Sequence, residues 1–183
     1  MFEKSDEQLA VRALSGNKRA WLKLVKRFEK PVYNYALRLV RNPDDALDMM
    51  QEIFLAVFRN LESYRGEGPF RAWLFKIANY RCIEFHRRKR PFLSLDEAPE
   101  PEVNNPLDCP EGNTLGWQQG NQLVNAMGEL PVNQRTVVEL KLFQQFTFEQ
   151  IANQLGVSTN TVKSRFYSAM SSLKDKLEVA HVA

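Results

Sequence analysis

Apolar positions recur at helical spacing through most of the chain. Between Lys18 and Arg41, Trp21, Leu24, Val25, Phe28, Val32, Tyr35, Ala36 and Leu39 share one helical face. Pro31 sits inside that run and predicts a kink or a break, because it lacks the N–H the helix needs there. Before it, Ser5–Gln8 ("SDEQ") fits a capping box, with Leu9, Val11, Ala13 and Leu14 as a short apolar face and Gly16 as the stop. After it, "RNPDD" at 41–45 reads as a stop and a new start: Asn42 as N-cap, Pro43 at the first helical position, acids in the first turn. The third helix is expected to bury Leu47, Met50, Phe54, Val57, Phe58 and Leu61. "YRGEGP" at 64–69 is a loop, and a fourth helix runs from about Phe70 to Arg88, with Trp73 and Ile77 as an expected buried pair.

Further on, "QLVNAMGEL" predicts a short helix and "PVNQRTVVELKLFQ" another, opened by Pro131. Ile151, Ala152 and Leu155 then pattern a helix that starts at Thr147 or Phe148 and ends at Gly156. Ser158 caps the next one, with Val162, Phe166, Met170 and Leu173 inward. Two helices joined by a short turn containing glycine make a helix-turn-helix. The fold class read from this pattern is all-α: two small helical domains, the C-terminal one a helix-turn-helix.

Charge divides the chain. Residues 1–92 hold 19 Lys/Arg against 11 Asp/Glu, whereas residues 93–118 hold six acids and no Lys/Arg. Residues 119–183 are nearly balanced, with six Lys/Arg and five Asp/Glu. The acidic stretch also carries Pro99, Pro101, Pro106 and Pro110, which block helix while its charges resist collapse. It is expected to be an extended linker between domains at 5–92 and 119–178.

The 183 residues are 44% hydrophobic and 26% charged, as in soluble globular proteins, and no apolar run approaches the roughly 20 residues of a membrane span. The N-terminus carries no signal-peptide pattern. A reduced, cytoplasmic protein is expected. Cys82 and Cys109, like His86 and His181, lack metal-ligand spacing. No Ser/His/Asp or Cys/His set and no phosphate loop is present, so the sequence reads as a non-enzyme without a cofactor.

What the sequence offers instead is nucleic-acid chemistry. From Tyr64 to Arg90, basic residues alternate with aromatics: Arg65, Arg71, Lys76, Arg81 and Arg87 among Tyr64, Phe70, Trp73, Phe75, Tyr80 and Phe85. Cations for a backbone and flat rings for unpaired bases suit single-stranded nucleic acid. In the helix-turn-helix, the second helix exposes Thr159, Asn160, Lys163, Ser164, Tyr167 and Ser168, hydrogen-bonding groups at the end that enters a major groove. Lys163 and Arg165 can neutralise phosphates, although the small net charge of this half keeps its own affinity for duplex low. One stretch fits neither pattern. "DDALDMMQE" at 44–52 places Asp44, Asp48 and Glu52 four apart on one helix of a basic chain. Such like-charged pairs cost a helix roughly 0.2–0.5 kcal/mol each.

Three motifs in order resemble the extracytoplasmic-function (ECF) group of sigma factors of bacterial RNA polymerase, within the sigma-70 family. "DALDMMQEIF" resembles the family's acidic helix, "SYRGEGPFRAWLFKIA" its promoter-melting loop and helix, and "FTFEQIANQLGVSTNTVKSR" its C-terminal helix-turn-helix. The resemblance covers roughly residues 5–92 and 119–178. It implies an alternative sigma factor that binds core polymerase, recognises −10 and −35 promoter elements and directs initiation. The acidic helix would dock on the clamp of the largest subunit through Asp45, Asp48, Met49, Gln51 and Glu52, with Phe54 and one methionine packed inward. Complementary charge there speeds encounter and fixes register.

By the same resemblance, an unpaired base of the −10 element is captured by the first domain. Tyr64, Arg65, Phe70, Lys76, Asn79, Tyr80 and Arg87 stand at the candidate positions. Ser158, Thr161, Lys163, Ser164, Arg165, Tyr167 and Ser168 stand where the family reads duplex −35 DNA. The linker would thread the basic channel through which RNA leaves. An anti-sigma partner is implied, membrane insertion is not. Three departures from the family's pattern are visible: Tyr80 stands where many relatives carry asparagine, Glu84 where aspartate is frequent, and Ser168 and Met170 occupy positions usually basic. A helix-turn-helix DNA-binding transcriptional regulator, repressor or activator, is the alternative, and it has no use for an acidic helix.

Overall fold

The computed structural model describes residues 4–89 and 123–182, with side chains described to residue 177. The linker expected at 93–118 lies outside the described residues, as does Cys109. Every regular element among the described residues is helical. The first unit is built from α1 (Asp6–Leu14), α2 (Lys18–Val40), α3 (Pro43–Arg59) and α4 (Phe70–Lys89). The second holds α5 (123–128), α6 (Val132–Val138), α7 (Phe148–Leu155) and α8 (Thr159–Val182).

Local chemistry sets the helix ends. Ser5 and Gln8 form the expected capping box at α1. The Asn17 side chain accepts from the Ala20 N–H at α2, and that of Asn42 from the Asp45 N–H at α3, both at 3.0 Å. Between α2 and α3 the chain turns within two residues, because Arg41 adopts a left-handed conformation (φ 60°) before Asn42 caps the next helix. Replacing Asn42 with Ala leaves the Asp45 N–H without this acceptor. It is expected to lower stability by about 1 kcal/mol in thermal or urea unfolding; an unchanged midpoint would show that the cap bond contributes nothing.

α2 runs unbroken through Pro31. Of the expected kink or break, the break does not occur: Phe28 and Val32, on either side of the proline, are both buried, and that packing holds the two halves in one helix. The core of the first unit joins Leu24, Tyr35 and Leu39 of α2 to Met49, Ile53 and Val57 of α3 and to Phe70, Leu74 and Phe75 of α4. On α1 the buried residues are Leu9 and Ala10, whereas Val11 and Leu14, expected inward, are exposed.

Of the expected buried face of α3, Val57 and Leu61 are buried and Met50 and Phe54 half-buried, but Leu47 and Phe58 are not. Ala46, Met49, Ile53, Ala56 and Val57 are buried, while Leu47 and Phe58 point outward with Leu55. Packing against α2 and α4 selects the stripe of smaller residues, and three large apolar side chains are left on the surface. In α8, Val162, Ala169 and Leu173 are buried and Met170, expected inward, is exposed. Trp73 and Ile77 are only half-buried. The second unit adds a five-residue π-helical segment, Glu139–Phe143, directly after α6.

Candidate functional site

The acidic helix presents one continuous outer face. Asp44, Asp48, Gln51 and Glu52 are exposed on it, interleaved with Leu47, Leu55 and Phe58. Asp45 is half-buried and is engaged by the Lys89 ammonium at 2.6 Å. Met49 does not reach this surface. It is buried in the core, and Met50 is the half-buried one of the pair, because Met49 falls on the stripe with Ala46 and Ile53. The face therefore pairs acids with apolar side chains, a composition suited to a basic protein surface with an apolar centre.

A second face comprises the loop before α4 and the start of that helix. The Tyr64 hydroxyl donates to the Gly68 carbonyl at 2.7 Å, closing the loop on itself. Gly66 takes φ 74°, a conformation other residues rarely adopt. The Tyr64 ring lies 5.4 Å from those of Phe70 and Trp73. Arg65 is exposed at the rim of a hollow of about 190 Å³, which Tyr64, Ala72 and Trp73 also line. Phe70 is not available to a base. It is fully buried against Phe28 beneath Tyr64, and its N–H donates to Glu7 Oε1 at 3.3 Å. Backbone donors, that of Glu7 itself first, hold the Glu7 carboxyl below its ordinary pKa, so it stays charged at this helix start.

Further along α4, Lys76 and Tyr80 are exposed, and Arg87 lies on the surface near the helix end. Asn79 is buried, with its Oδ1 accepting from the Tyr35 hydroxyl at 3.3 Å. Lys76, Asn79 and Tyr80 form one wall of a cavity of about 210 Å³; Thr136, Gln154 and Arg165 of the second unit stand on the other. Arg165, expected to meet phosphate, thus faces the first unit, beside residues expected to meet unpaired bases.

The helix-turn-helix forms the third face. Thr147 and Gln150 complete a capping box at α7, and Gly156 ends the helix with φ 66°. The Ser158 Oγ accepts from the Thr161 N–H at 3.0 Å and bonds the Thr161 hydroxyl at 2.8 Å, so both side chains are used in starting α8. Val162 is fully buried and anchors that helix. Lys163, Ser164, Tyr167 and Ser168 are exposed together, with the Tyr167 ring against Phe148 and Phe166. Gln134 donates to Ser168 Oγ at 3.4 Å.

The sequence reading missed one polar cluster. Glu139 is fully buried, and the Arg38 guanidinium of α2 donates to it through Nε and Nη2 at 2.5 and 2.7 Å. Burial pushes the Glu139 carboxyl pKa up, while Arg38 and Gln144 pull it back. Arg135, also fully buried, donates to the carbonyls of Met127, Gly128 and Leu130 and to that of Leu39 in the first unit. The signal in the sequence was a lone acid, Glu139, between the bases Arg135 and Lys141 in the otherwise mostly apolar run "RTVVELKLF". Among the described residues no group of acids, histidines and cysteines could hold a metal, and no helix is long and apolar enough to cross a membrane.

Comparison with known proteins falls on the same two units. The family described as Sigma-70 region 2 matches residues 24–92, and Sigma-70, region 4 matches residues 120–173. The ECF RNA polymerase sigma-E factor of Haemophilus influenzae is 28% identical over 182 residues, covering 95% of this chain and 96% of that protein. The ECF RNA polymerase sigma factor SigE of Mycolicibacterium smegmatis is 32% identical over 182 residues, 96% of this chain and 70% of the relative. Among solved structures, CnrH in complex with the cytosolic domain of CnrY aligns with a TM-score of 0.71 and 25% identity, over 96% of this chain and 99% of that one.

Proposed function

We propose a division of labour among the three faces from one premise: the chain belongs to the ECF group of the sigma-70 family and, as an alternative sigma factor, directs transcription initiation. It is not an enzyme; the polymerase carries the chemistry. In this reading, residues 5–92 bind core polymerase and the −10 element, residues 119–178 bind the −35 element, and 93–118 is the connector. The work is done in the bacterial cytoplasm, where the polymerase is.

The observation that carries the reading is the outer face of α3. Acids four apart are unfavourable in a free helix, and Leu47, Leu55 and Phe58 beside them are exposed at 46–57% of their surface. Both features become favourable against a basic, partly apolar partner surface. Asp44, Asp48 and Glu52 take the charged role there, Gln51 a hydrogen-bonding one, and Asp45 must first leave Lys89.

Tyr64, Arg65, Lys76, Tyr80 and Arg87 remain as the −10 surface. Extracting a base costs a few kcal/mol of stacking, which ring contacts at Tyr64 and Tyr80 and phosphate contacts at the cations offset. Lys163, Ser164, Tyr167 and Ser168 face the duplex, and Ser158 and Thr161 set the start of the helix that carries them. Replacing Lys163 with Ala is expected to weaken duplex binding about equally across sequences and to reduce the salt slope by about 1; a change confined to one base position would assign Lys163 to base reading instead.

CnrH was solved with the cytosolic domain of CnrY. By that likeness, an anti-sigma partner that competes with core polymerase is proposed for this chain too. The test of the whole reading is run-off transcription with sigma-free core polymerase and a pool of genomic promoter fragments. Defined start sites with shared −35 and −10 elements are the expected result. Binding to DNA without any binding to core would replace the reading with that of a helix-turn-helix repressor.

A further inference from the structure

α4 starts without a side-chain cap from its own segment. The residue before it is Pro69, whose ring offers no acceptor. Its carbonyl takes the Ala72 and Trp73 N–H groups at 3.0 and 3.3 Å. The Phe70 N–H lies outside that pattern, as the first N–H groups of any helix do. It is met from 63 positions away, where Glu7 Oε1 of α1 accepts it at 3.3 Å. Asn17, Asn42 and Thr147 cap the helices that directly follow them; the start of α4 is closed by another helix.

Glu7 stands where two helix starts converge. It belongs to the first turn of α1, and its carboxylate reaches the first N–H of α4. Both ends present partial positive charge, which favours an anion between them. α1 is itself pinned to the body of the unit. Arg27 of α2 pairs with Asp6 and donates to the Lys4 carbonyl at 3.2 Å, and Leu9 and Ala10 are buried in the core. The place of Glu7 is therefore set by packing, independently of the loop before α4.

Phe70 carries the consequence to that loop. Its ring packs under Tyr64, whose hydroxyl closes the loop on the Gly68 carbonyl. Burial first, and then the charges of Glu7 and Asp6, push the Tyr64 hydroxyl pKa up, which keeps it a donor. A carboxylate this close to a surface for nucleic acid repels phosphate. Its position is unfavourable for binding unless it supplies something the surface needs, and a fixed start for α4 is such a thing.

We propose that Glu7 is a positioning residue for −10 capture: from α1 it closes the start of α4 and holds the Tyr64–Pro69 loop over Phe70 in the orientation that receives an unpaired base. The cap stands on the contacts; its consequence for promoter opening rests on the function proposed above.

The test compares the full wild-type chain with Glu7→Ala, Glu7→Met, Glu7→Gln and Gln8→Ala. Ala and Met both remove the acceptor oxygen, Met keeping the length of the side chain, whereas Gln keeps an acceptor without the charge. Gln8→Ala removes the acceptor of the Ser5 N–H and so weakens the start of α1 without touching α4. Hydrogen exchange at the Phe70 amide is expected to rise roughly 5-fold in Glu7→Ala and Glu7→Met and to stay near wild type in the other two. Holoenzyme is then tested on a promoter recovered by run-off transcription, with opening read from a fluorescent base analogue in the −10 element. Opening is expected to fall roughly 5- to 10-fold in Glu7→Ala and Glu7→Met at unchanged affinity for core, and to be restored in Glu7→Gln.

Unchanged exchange at Phe70 in Glu7→Ala and Glu7→Met overturns the cap, as does Glu7→Gln exchanging as fast as they do. Faster exchange with undiminished opening overturns the positioning role. So does Gln8→Ala lowering opening as much as Glu7→Ala, since that leaves only the stability of α1. If Glu7→Ala loses helix content by circular dichroism, Glu7→Met decides. A wild type that opens no promoter overturns the sigma reading, and exchange at Phe70 then decides the cap by itself.

Discussion

Glu52→Lys and Asp48→Arg each abolish co-purification with core RNA polymerase while the protein keeps its helix content and melting temperature. Both side chains lie on the exposed face of α3 and make no ion pair among the described residues, so reversal removes nothing from the fold. It also breaks up the run of like charges at 44, 48 and 52, which favours the helix slightly. Against a basic partner, one reversal turns attraction into repulsion, and like-charge juxtaposition at an interface costs several kcal/mol. That is a loss of at least about 100-fold in affinity, read by pull-down or by fluorescence titration with core. Asp45→Asn serves as the contrast. Its carboxylate is already held by Lys89, and a smaller effect is expected there. Unchanged binding of the two reversals would remove the acidic helix from the docking surface.

Arg135→Ala unfolds the second unit. The guanidinium gathers the carbonyls of Met127, Gly128 and Leu130, which end α5, and that of Leu39 across the seam. None of its surface is exposed. Alanine leaves a cavity and several acceptors with no water to replace the lost donors, at about 1–3 kcal/mol for each group stranded. A destabilisation of at least about 3 kcal/mol is expected, which a unit of this size does not tolerate. Hydrogen exchange should show lost protection in α5–α8 with α1–α4 still protected. Uniform protection as in wild type would show that other groups satisfy these carbonyls. Arg135→Lys, which keeps the charge but not the fork, is expected to rescue only partly.

These two predictions differ in where they could be read. The acids of α3 are legible in sequence because a charge pattern unfavourable for a lone helix is a local property. The role of Arg135 is not, because its acceptors come from two segments and one of them lies 96 positions away. The same division separates what was anticipated at the site from what was not. Capping residues Ser5, Asn42 and Ser158 and the glycine stop at 156 follow from hydrogen bonds within one turn. Phe70 and Met49 were expected at surfaces and are core residues. Residue type alone does not distinguish an aromatic that stacks on a base from one that stacks on Phe28.

By itself the sequence determined that the chain is helical, that it ends in a helix-turn-helix, and that it carries an acidic helix beside a basic, aromatic one. Each of these depends on residues within a few turns of one another, where spacing and capping chemistry decide the outcome. Tertiary structure alone decided which face of α3 turns inward, and so left Leu47, Leu55 and Phe58 exposed with the acids. It also decided that Glu139 is buried against Arg38 and that Arg165 faces Tyr80 across a seam. Helical periodicity fixes a stripe only to within a residue's rotation. The partner that removes a side chain from water is chosen by packing between segments far apart in the chain.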